Sequence, residues 1–379
     1  MEIVYATEEF RIKGQPYQGF PILLHDSMEG CAPVNSFMRY YLLRGAIGSK
    51  HSWASTGRAM YDYFGFLQAH NLQWNDVQRG DNHDLISAYR DYSLDTVQLA
   101  PNTVKQRLLY ICEFYQYALK QSWIDTLPFE HEERSFHRGG FLAHIDASGG
   151  RTLARSVSPK THKSLPKFLS KDQFRRLITA AVNPHHKLLI RFALQTGLRR
   201  EEIATFPLAY LTEMSSVGAN EKNIRIFLDP YDGNGIRTKG SKARDIYVSR
   251  RLVNDLRHYI LHTRGQRASL CDVKHPQLFL NQRGEPYSAD GKRIERIVRA
   301  IGASIGIKVH PHMLRHTYAT HTLSAMQRSN SGIDPLVYVQ RQLGHASIKT
   351  TAIYLHLINE LADQAVLAYD DELNVGLDV

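Results

Sequence analysis

Apolar side chains recur every three or four residues in the first half of this chain, from about residue 34 to residue 127. This spacing places apolar groups on one face of a helix, so it predicts helices that bury that face in a shared core. Three runs carry the pattern: Phe37, Tyr40, Tyr41 and Leu43; Met60, Tyr63, Phe64, Phe66 and Leu67; and Leu108, Leu109, Ile111, Phe114, Tyr115, Ala118 and Leu119. They predict a small helical domain over residues 34–132, with the aromatic residues in its core.

The segments on either side of this domain lack a helical period. Residues 1–33 contain short alternating stretches broken by glycine and proline, which predict irregular structure with room for one hairpin. Residues 133–169 are rich in glycine, serine and proline, and their second half is basic without any acid. This composition predicts a flexible basic linker. Such a linker can cross a DNA backbone or serve only as a solvated connector, and the local sequence leaves both readings open.

Helical patterns return over residues 170–360. An apolar helix there is stopped by Gly197, since glycine readily adopts the left-handed conformation that ends helices. Residues 224–228 and 245–248 alternate like two strands with turns between them. We therefore expect a mainly α chain with a small antiparallel sheet, an α+β fold, followed by an acidic tail over residues 361–379.

The charge is unevenly distributed. Residues 1–150 contain 13 Lys+Arg and 17 Asp+Glu, residues 151–354 contain 34 and 14, and residues 355–379 contain none and 6. The middle block therefore has a net charge of +20, which favours a polyanionic partner such as nucleic acid, although a basic surface also serves solubility.

Cysteine usage and hydropathy narrow the class of protein. The chain has three scattered cysteines, too few for a disulfide framework or a cysteine-rich metal site. No stretch approaches the roughly 20 apolar residues of a membrane span. We expect a protein of the reducing cytoplasm that is neither exported nor inserted into a membrane.

The third helical run begins after Pro101 and carries Lys105 and Arg107 in its first two turns. Cations at a helix start suit a phosphate backbone, so both residues are candidate DNA contacts. Exposed Lys and Arg on a helix often have no specific partner, and this alternative stays open.

Three clusters in the second half combine charged and aromatic groups: TGLRREEI at 196–203, HPHMLRH at 310–316 and LGHASIKTTAIY at 343–354. In the second cluster, positions 312, 315 and 316 fall on one helix face, so two imidazoles and a guanidinium point the same way. Four histidines between 310 and 321 raise the question of a metal site. No acid or cysteine lies among them, however, so no metal site is expected there.

These three clusters, in this order and with a lysine-bearing hairpin between the first and the second, resemble the tyrosine recombinases, also called phage integrases. The resemblance covers residues 170–360, which it identifies as a catalytic domain. It implies that residues 34–132 form a helical core-binding domain, and that the two domains close as a C-shaped clamp on DNA.

The resemblance also implies roles for individual residues. Arg199 and Arg315 are the phosphate-binding arginines, Tyr354 is the nucleophile, and His312 and His345 bracket the site. Lys239 matches the hairpin lysine, and Lys242 is its rival and a candidate phosphate contact. Glu202 supports the first arginine, and His316 is a supporting residue that packs nearby. The DNA-contact candidates are Lys105, Arg107, Arg151, Arg155, Lys160, Lys163, Lys242 and Arg244.

The chemistry explains these residue types independently. Attack on a phosphodiester builds negative charge on its oxygens, and two guanidinium groups can stabilise that charge without a metal. A tyrosine hydroxyl with a pKa of about 10 needs a base or a strongly positive pocket to ionise near neutrality. The resemblance favours His312 as that base. A lysine in an electropositive site suits protonation of the leaving oxygen, which points to Lys239.

The function that the resemblance implies is DNA cutting and rejoining through a 3′-phosphotyrosyl link, with no cofactor. Double-stranded DNA is the expected partner, with four copies of the chain on two duplexes. The acidic tail is expected to dock on a neighbouring copy or to fold back on its own domain. Accessory DNA-bending or recombinase partners are also expected. The expected setting is integration or excision of a mobile element, on the nucleoid of a bacterium or for a phage. The alternatives are a relaxing enzyme of the type IB topoisomerase kind and an inactive DNA-binding accessory protein.

Overall fold

The computed structural model describes residues 1–44, 51–79, 84–135, 151–159, 165–212, 221–329, 332–348, 350–355 and 357. The chain divides into two compact units, Met1–Lys163 and Ser164–Val379. In the described ranges no helix is long and apolar enough to cross a membrane.

The N-terminal segment of the first unit is more regular than its sequence predicted. Strand β1 (Glu2–Tyr5) pairs antiparallel with β4 (Pro21–Leu24), and the short strands β2 (Arg11–Ile12) and β3 (Gln15–Pro16) pair between them. The strands are ordered because Leu23 is buried in the helical core. Residues 1–33 therefore form two nested hairpins that belong to the helical unit, and not irregular structure.

The helices of the first unit bury an aromatic core, as the periodicity predicted. They are α1 (Ala32–Leu42), α2 (His51–Ala69), α3 (Leu85–Asp91), a π-helical turn (Tyr92–Thr96) and α4 (Pro101–Lys120). The Tyr63 and Tyr115 hydroxyls hydrogen-bond at 2.6 Å inside this core, and that of Tyr115 also donates to the Trp74 carbonyl at 2.8 Å. Leu109 and Leu119, predicted core residues, are instead exposed because they lie on the outer face of α4.

The predicted linker contains a hairpin. Strand β5 (His131–Ser135) pairs in antiparallel register with β6 (Arg151–Arg155), and the following Val157 is buried against the first unit's core. The second unit begins at Ser164, so the boundary falls inside the predicted linker.

The second unit is mainly helical, with one two-stranded sheet. Its helices are α5 (Lys171–Ala180), α6 (Pro184–Thr196), α7 (Arg200–Ala204), α8 (Ala209–Thr212), α9 (Arg250–Tyr259), a π-helical turn (Ile260–Arg264), α10 (Gly265–Ala268), α11 (Lys292–Ser304), α12 (Pro311–Ser329) and α13 (Pro335–Leu343). Residues 350–355 are also helical. Strand β7 (Asn223–Leu228) pairs with β8 (Arg244–Ser249), and its alternate residues Ile224, Ile226 and Leu228 are buried, as a half-buried strand requires. The expected α+β fold class is confirmed.

Candidate active site

The loop after α6 positions the first arginine. Gly197 ends the helix with φ +64°, and an added Cβ would lie 2.4 Å from Tyr318 and 2.7 Å from Leu343. Only glycine fits this position, because the backbone is left-handed and the space is already filled. Arg199 then caps α7, and its backbone N–H donates to the Glu202 carboxylate at 2.8 Å. The apolar helix α6 thus fixes where the Arg199 side chain starts.

Glu202 is a buried anchor for two arginines. The Arg199 Nη1 donates to its Oε1 at 3.1 Å, and the two Nη atoms of Arg244 donate to its two oxygens at 2.9 and 2.7 Å. Burial alone raises the pKa of Glu202. The hydrogen bond and charge of Arg244, followed by the charges of Arg199 and Arg315, lower it below its usual value. Glu202 is therefore an ionised carboxylate that orients Arg199.

Arg315 is buried, and no carboxylate among the described residues forms an ion pair with it. Its side chain comes from α12 and is only 1% exposed. Its Nη1 donates to the Gly197 carbonyl and its Nη2 to the Leu343 carbonyl, both at 2.7 Å. Burial and the charge of Arg199 lower its pKa to about 9. The guanidinium stays charged at neutral pH, and its charge is available to an anion.

Tyr354 lies in the same place. It is 2% exposed and packs with α12 and α13 in one apolar cluster. Its hydroxyl lies 2.8 Å from the His316 Nδ1, and its ring stacks on His345 at 6.2 Å between centroids with an interplanar angle of 14°. Burial raises the pKa of Tyr354, and the charges of Arg315 and Arg199 partly offset this rise. The structure therefore places the predicted nucleophile beside the predicted cations.

The three histidines of the site are neutral at neutral pH. Burial, followed by nearby charged groups that include Arg315, lowers the pKa of His312 to about 4 and those of His316 and His345 to about 3. The rings of His312 and His316 are 4.3 Å apart, and the His345 Nδ1 lies 3.0 Å from the Thr351 hydroxyl. Burial is the largest cause of these lowered pKa values, and the charges of Arg315 and Arg199 add to it at His312 and His345, as expected for a partly buried pocket that contains cations.

The two candidate lysines lie in the turn between β7 and β8. Lys239 begins a short 3-10 turn that Lys242 follows, and both side chains are exposed. They line an open cavity of about 840 Å³ together with Arg199 and His345. The structure thus brings both lysines to the candidate site and does not show which of them corresponds to the hairpin lysine.

The expected DNA contacts have different surroundings in the structure. Arg107 forms an ion pair with Asp62, and Arg155 pairs with Glu113 at 2.6 Å, so both guanidinium groups already have partners within the first unit. Arg244 is buried on Glu202, which makes it part of the arginine site. Arg151 lies in β6. Lys160 and Lys163 lie outside the described residues. The role of the whole set in DNA contact stays a prediction, including that of Lys105.

Metal ligation finds no support in the described ranges, where no group of three or more His, Cys, Asp and Glu side chains is arranged to hold an ion. The charge in the site comes from arginine and lysine. These residue types suit a phosphodiester, since guanidinium groups match its paired oxygens.

Comparison with known proteins decides the family. A sequence model described as "Phage integrase family" matches residues 167–360, which include both arginines of the site, both lysines, the histidines and Tyr354. The chain belongs to the phage integrase family. Members of this family, the tyrosine recombinases, break and rejoin DNA, and this chain is therefore a site-specific recombinase.

Individual relatives extend the match beyond the second unit. This integrase-family chain is 28% identical to tyrosine recombinase XerC of Bacillus subtilis over 72% of its length and 75% of that protein. It is 26% identical to tyrosine recombinase XerA of Pyrococcus horikoshii, over 75% of this chain and 93% of that one. Among solved structures, XerH bound to palindromic difH substrate has a TM-score of 0.56 at 19% identity, and the match covers 85% of this chain and 81% of the XerH chain. The structure of a λ integrase dimer bound to a COC′ core site has a TM-score of 0.56 at 13% identity, and the match covers 85% of this chain and 94% of that one.

Two residues have contacts that the sequence analysis missed. His316 contacts the tyrosine hydroxyl, whereas it was expected to pack nearby, and Arg244 supports Glu202, whereas it was expected on DNA. The spacing of His316 one turn after His312 was a signal that either imidazole could face the site. No signal in the sequence joined Arg244 to a carboxylate 42 positions earlier.

Proposed function

We propose that Tyr354 is the nucleophile of this recombinase and that it attacks a DNA phosphate to form a 3′-phosphotyrosyl link. The observation that carries the proposal is the placement of its hydroxyl beside His316 and under the charges of Arg199 and Arg315, all within one chain. Because one chain supplies the whole set, cleavage in cis is the simplest reading.

Each further residue has a proposed task in this reaction. Arg199 and Arg315 stabilise the charge that develops on the non-bridging oxygens, and Glu202 orients Arg199 for it. As the tyrosine oxygen bonds to phosphorus, the bond to the 5′ oxygen breaks, and Lys239 donates the proton that makes a 5′ hydroxyl. The bond energy is kept in the phosphotyrosyl link, so rejoining to another 5′ hydroxyl needs no ATP.

Duplex DNA is the proposed partner, in keeping with the net charge of +20 on residues 151–354. Further support comes from relatives whose structures are described as bound to difH substrate or to a core site. We further propose a tetramer on two duplexes, with the acidic tail docking between copies, and accessory DNA-bending or recombinase partners. The tail lies outside the described residues. We propose integration or excision of a mobile element as the reaction, on nucleoid DNA in the cytoplasm.

The decisive experiment captures the covalent link. The protein is incubated with sheared DNA of the genome that encodes it, denatured, washed and digested, and the attached DNA is sequenced while the modified peptide is mapped. We expect DNA on Tyr354 and none on the Tyr354→Phe variant. Tyr5→Phe, which changes an exposed tyrosine of β1 outside the candidate site, is the control and should keep the adduct. An adduct on another residue would refute the assignment.

A second assay separates this function from DNA relaxation. Two plasmid-borne copies of the captured sequence, with distinguishable flanks, should yield recombinant junctions. Relaxed plasmid without junctions would instead indicate topoisomerase activity, and DNA binding without any adduct would indicate an accessory protein.

A further inference from the structure

Gln342 is a buried amide near the end of α13, next to the carbonyl that holds the arginines. The residue is only 2% exposed. The carbonyl of the following Leu343 accepts from Arg315 at 2.7 Å and from Arg199 at 3.5 Å. The carbonyl of Gln342 itself accepts from the Arg244 Nε at 3.2 Å. The backbone around Gln342 therefore holds the arginine side of the site.

The side chain of Gln342 contacts the other side of the site, the hairpin that bears the two lysines. Its Oε1 accepts from the Tyr247 backbone N–H at 2.9 Å, and its Nε2 donates to the Tyr247 carbonyl at 3.1 Å. Tyr247 lies opposite Arg225 in the ladder of β7 and β8. Because the backbone groups of successive residues in a strand point to alternate edges, those of Tyr247 face away from β7. The amide thus pairs with β8 as an added strand would.

These two hydrogen bonds fix the hairpin more tightly than its packing does. Ile246 and Val248 hold β8 on the core, but apolar contacts are non-directional and let a strand shift along the surface. One amide that donates and accepts allows a single register, since both bonds require their own short distance. Lys239 precedes β8 in the same hairpin, and its side chain is exposed. The place of this lysine therefore follows that of β8.

We propose that Gln342 is a positioning residue that holds the lysine turn at a fixed distance from the arginine pair. This rests on the proposed function, in which Lys239 protonates the 5′ oxygen while Arg199 and Arg315 hold the phosphate. Without the amide bonds the phosphate stays on the arginines, whereas the lysine ammonium no longer meets the leaving oxygen. Proton delivery is then the step that slows, because a misplacement of about 1 Å can cost 10²-fold in rate.

The test compares two leaving groups in a single turnover. Gln342→Met keeps the length of the side chain but lacks the amide donor and acceptor. Nicked duplexes of the captured sequence carry either an ordinary phosphate or a bridging 5′-phosphorothiolate, whose sulfur leaves without protonation. Lys239→Ala reports complete loss of the proposed proton donor. Ile294→Val is the matched control, since it removes a buried methyl group from α11 and leaves the bonds to Tyr247 in place.

We expect Gln342→Met to cleave ordinary DNA about 10-fold to 10²-fold more slowly than the parent, and the phosphorothiolate at close to the parental rate. Lys239→Ala should show the same pattern with a larger defect, and Ile294→Val should keep the parental ratio of the two rates. A merely structural role would lower both rates together by reducing the folded fraction. An equal defect of Gln342→Met on both substrates would therefore overturn the inference, and so would parental cleavage of both.

Failure of the proposed function is visible separately. A parent that forms no adduct would refute the proposed role of Tyr354. A Lys239→Ala variant that the phosphorothiolate does not rescue would refute the proposed role of Lys239. In either case the bonds of Gln342 are decided by a measurement that needs no DNA.

Amide hydrogen exchange of the parent protein tests these bonds without a variant. The Tyr247 N–H lies at the edge of the hairpin that Gln342 covers, and the N–H of Asp245 faces the same edge two residues earlier. After correction for intrinsic rates, we expect Tyr247 to exchange about 10-fold or more slowly than Asp245, because a bonded amide must open first. Equal exchange at the two positions would show that the bonds do not persist, and it would overturn the inference.

Discussion

Replacing Arg244 by methionine, which keeps much of the side-chain length without the guanidinium, should destabilise the second unit by about 3–5 kcal/mol. That is the usual cost of leaving one member of a buried ion pair alone. The side chains of Arg244 and Glu202 are only 9% and 1% exposed, so the pair is buried, but Glu202 keeps the Arg199 guanidinium and the loss should lie at the lower end of this range. Arg244 supplies two of the four hydrogen bonds that Glu202 accepts here, and the other two come from Arg199. The substitution should also slow cleavage, since Glu202 orients Arg199.

The matched control is Arg225→Met in the neighbouring strand. Arg225 also pairs with an aspartate at 2.6 Å, but its side chain is 62% exposed. Water screens such a pair, so its loss should cost at most about 1 kcal/mol. The two arginine variants therefore differ in burial while they share chemistry, unit and sheet.

The assay exploits the position of the tryptophans. All three, Trp53, Trp74 and Trp123, lie in the first unit. Urea unfolding followed by tryptophan fluorescence therefore reports the first unit, whereas far-ultraviolet circular dichroism reports both. Arg244→Met should lower the midpoint of the transition that is seen by circular dichroism and not by fluorescence. In a thermal scan, the melting temperature of a unit of this size should fall by roughly 10 °C. Equal midpoints for Arg244→Met and Arg225→Met would refute the reasoning. In the double variant with Glu202→Gln and Arg244→Met, the loss of unfolding free energy should be smaller than the sum of the losses in the two single variants.

Further predictions concern backbone, pH and salt. Gly197→Ala should unfold the second unit at lower urea than the parent and slow cleavage, because the new Cβ would lie 2.4 Å from Tyr318; unchanged stability would contradict the left-handed fit. The pKa values of the site histidines lie below their ordinary 6.5, so the unfolded state binds more protons as the pH falls through that value. As the pH is lowered from about 7 to 5, the urea midpoint of the second unit, followed by circular dichroism, should therefore fall by more than the fluorescence midpoint of the first unit. A rise of the second unit's midpoint would contradict the argument that the folded site disfavours charged histidines. DNA binding in a gel-shift titration should weaken steeply as salt rises, and a flat response would contradict phosphate contact by the basic block. Cleavage should survive EDTA, since arginine and lysine provide the charge.

The sequence predicted those parts of the molecule that depend on interactions between residues close together in the chain. The apolar period of α4 located its buried face, and Gly197 marked the end of α6 because a left-handed residue is needed there. The clusters around Arg199, Arg315 and Tyr354 pointed to one site, and the structure brings their side chains together. The order of these clusters was informative because the family preserves chemistry that needs all of them.

The rest depended on contacts between distant residues. The hairpin of β5 and β6 was missed because its strands, HEERS and RTLAR, lack an apolar alternation and are separated by 15 residues. Only one of the two nested N-terminal hairpins was allowed for, because their strands are only two to four residues long and are stabilised by the helical core. Which of His312 and His316 meets the tyrosine depends on how α12 turns against residues 350–355, and helical spacing alone allows both.

The anchors of Arg315 are backbone oxygens, those of Gly197 and Leu343. A substitution at position 343 changes the side chain but leaves this acceptor in place, so point mutation can hardly remove it. A one-residue insertion or deletion after α6 or near the end of α13 would move the oxygen itself, and with it the guanidinium. Relatives should therefore vary more in residue type at position 343 than in the length of these two loops, whereas position 197 should stay glycine because of its left-handed backbone.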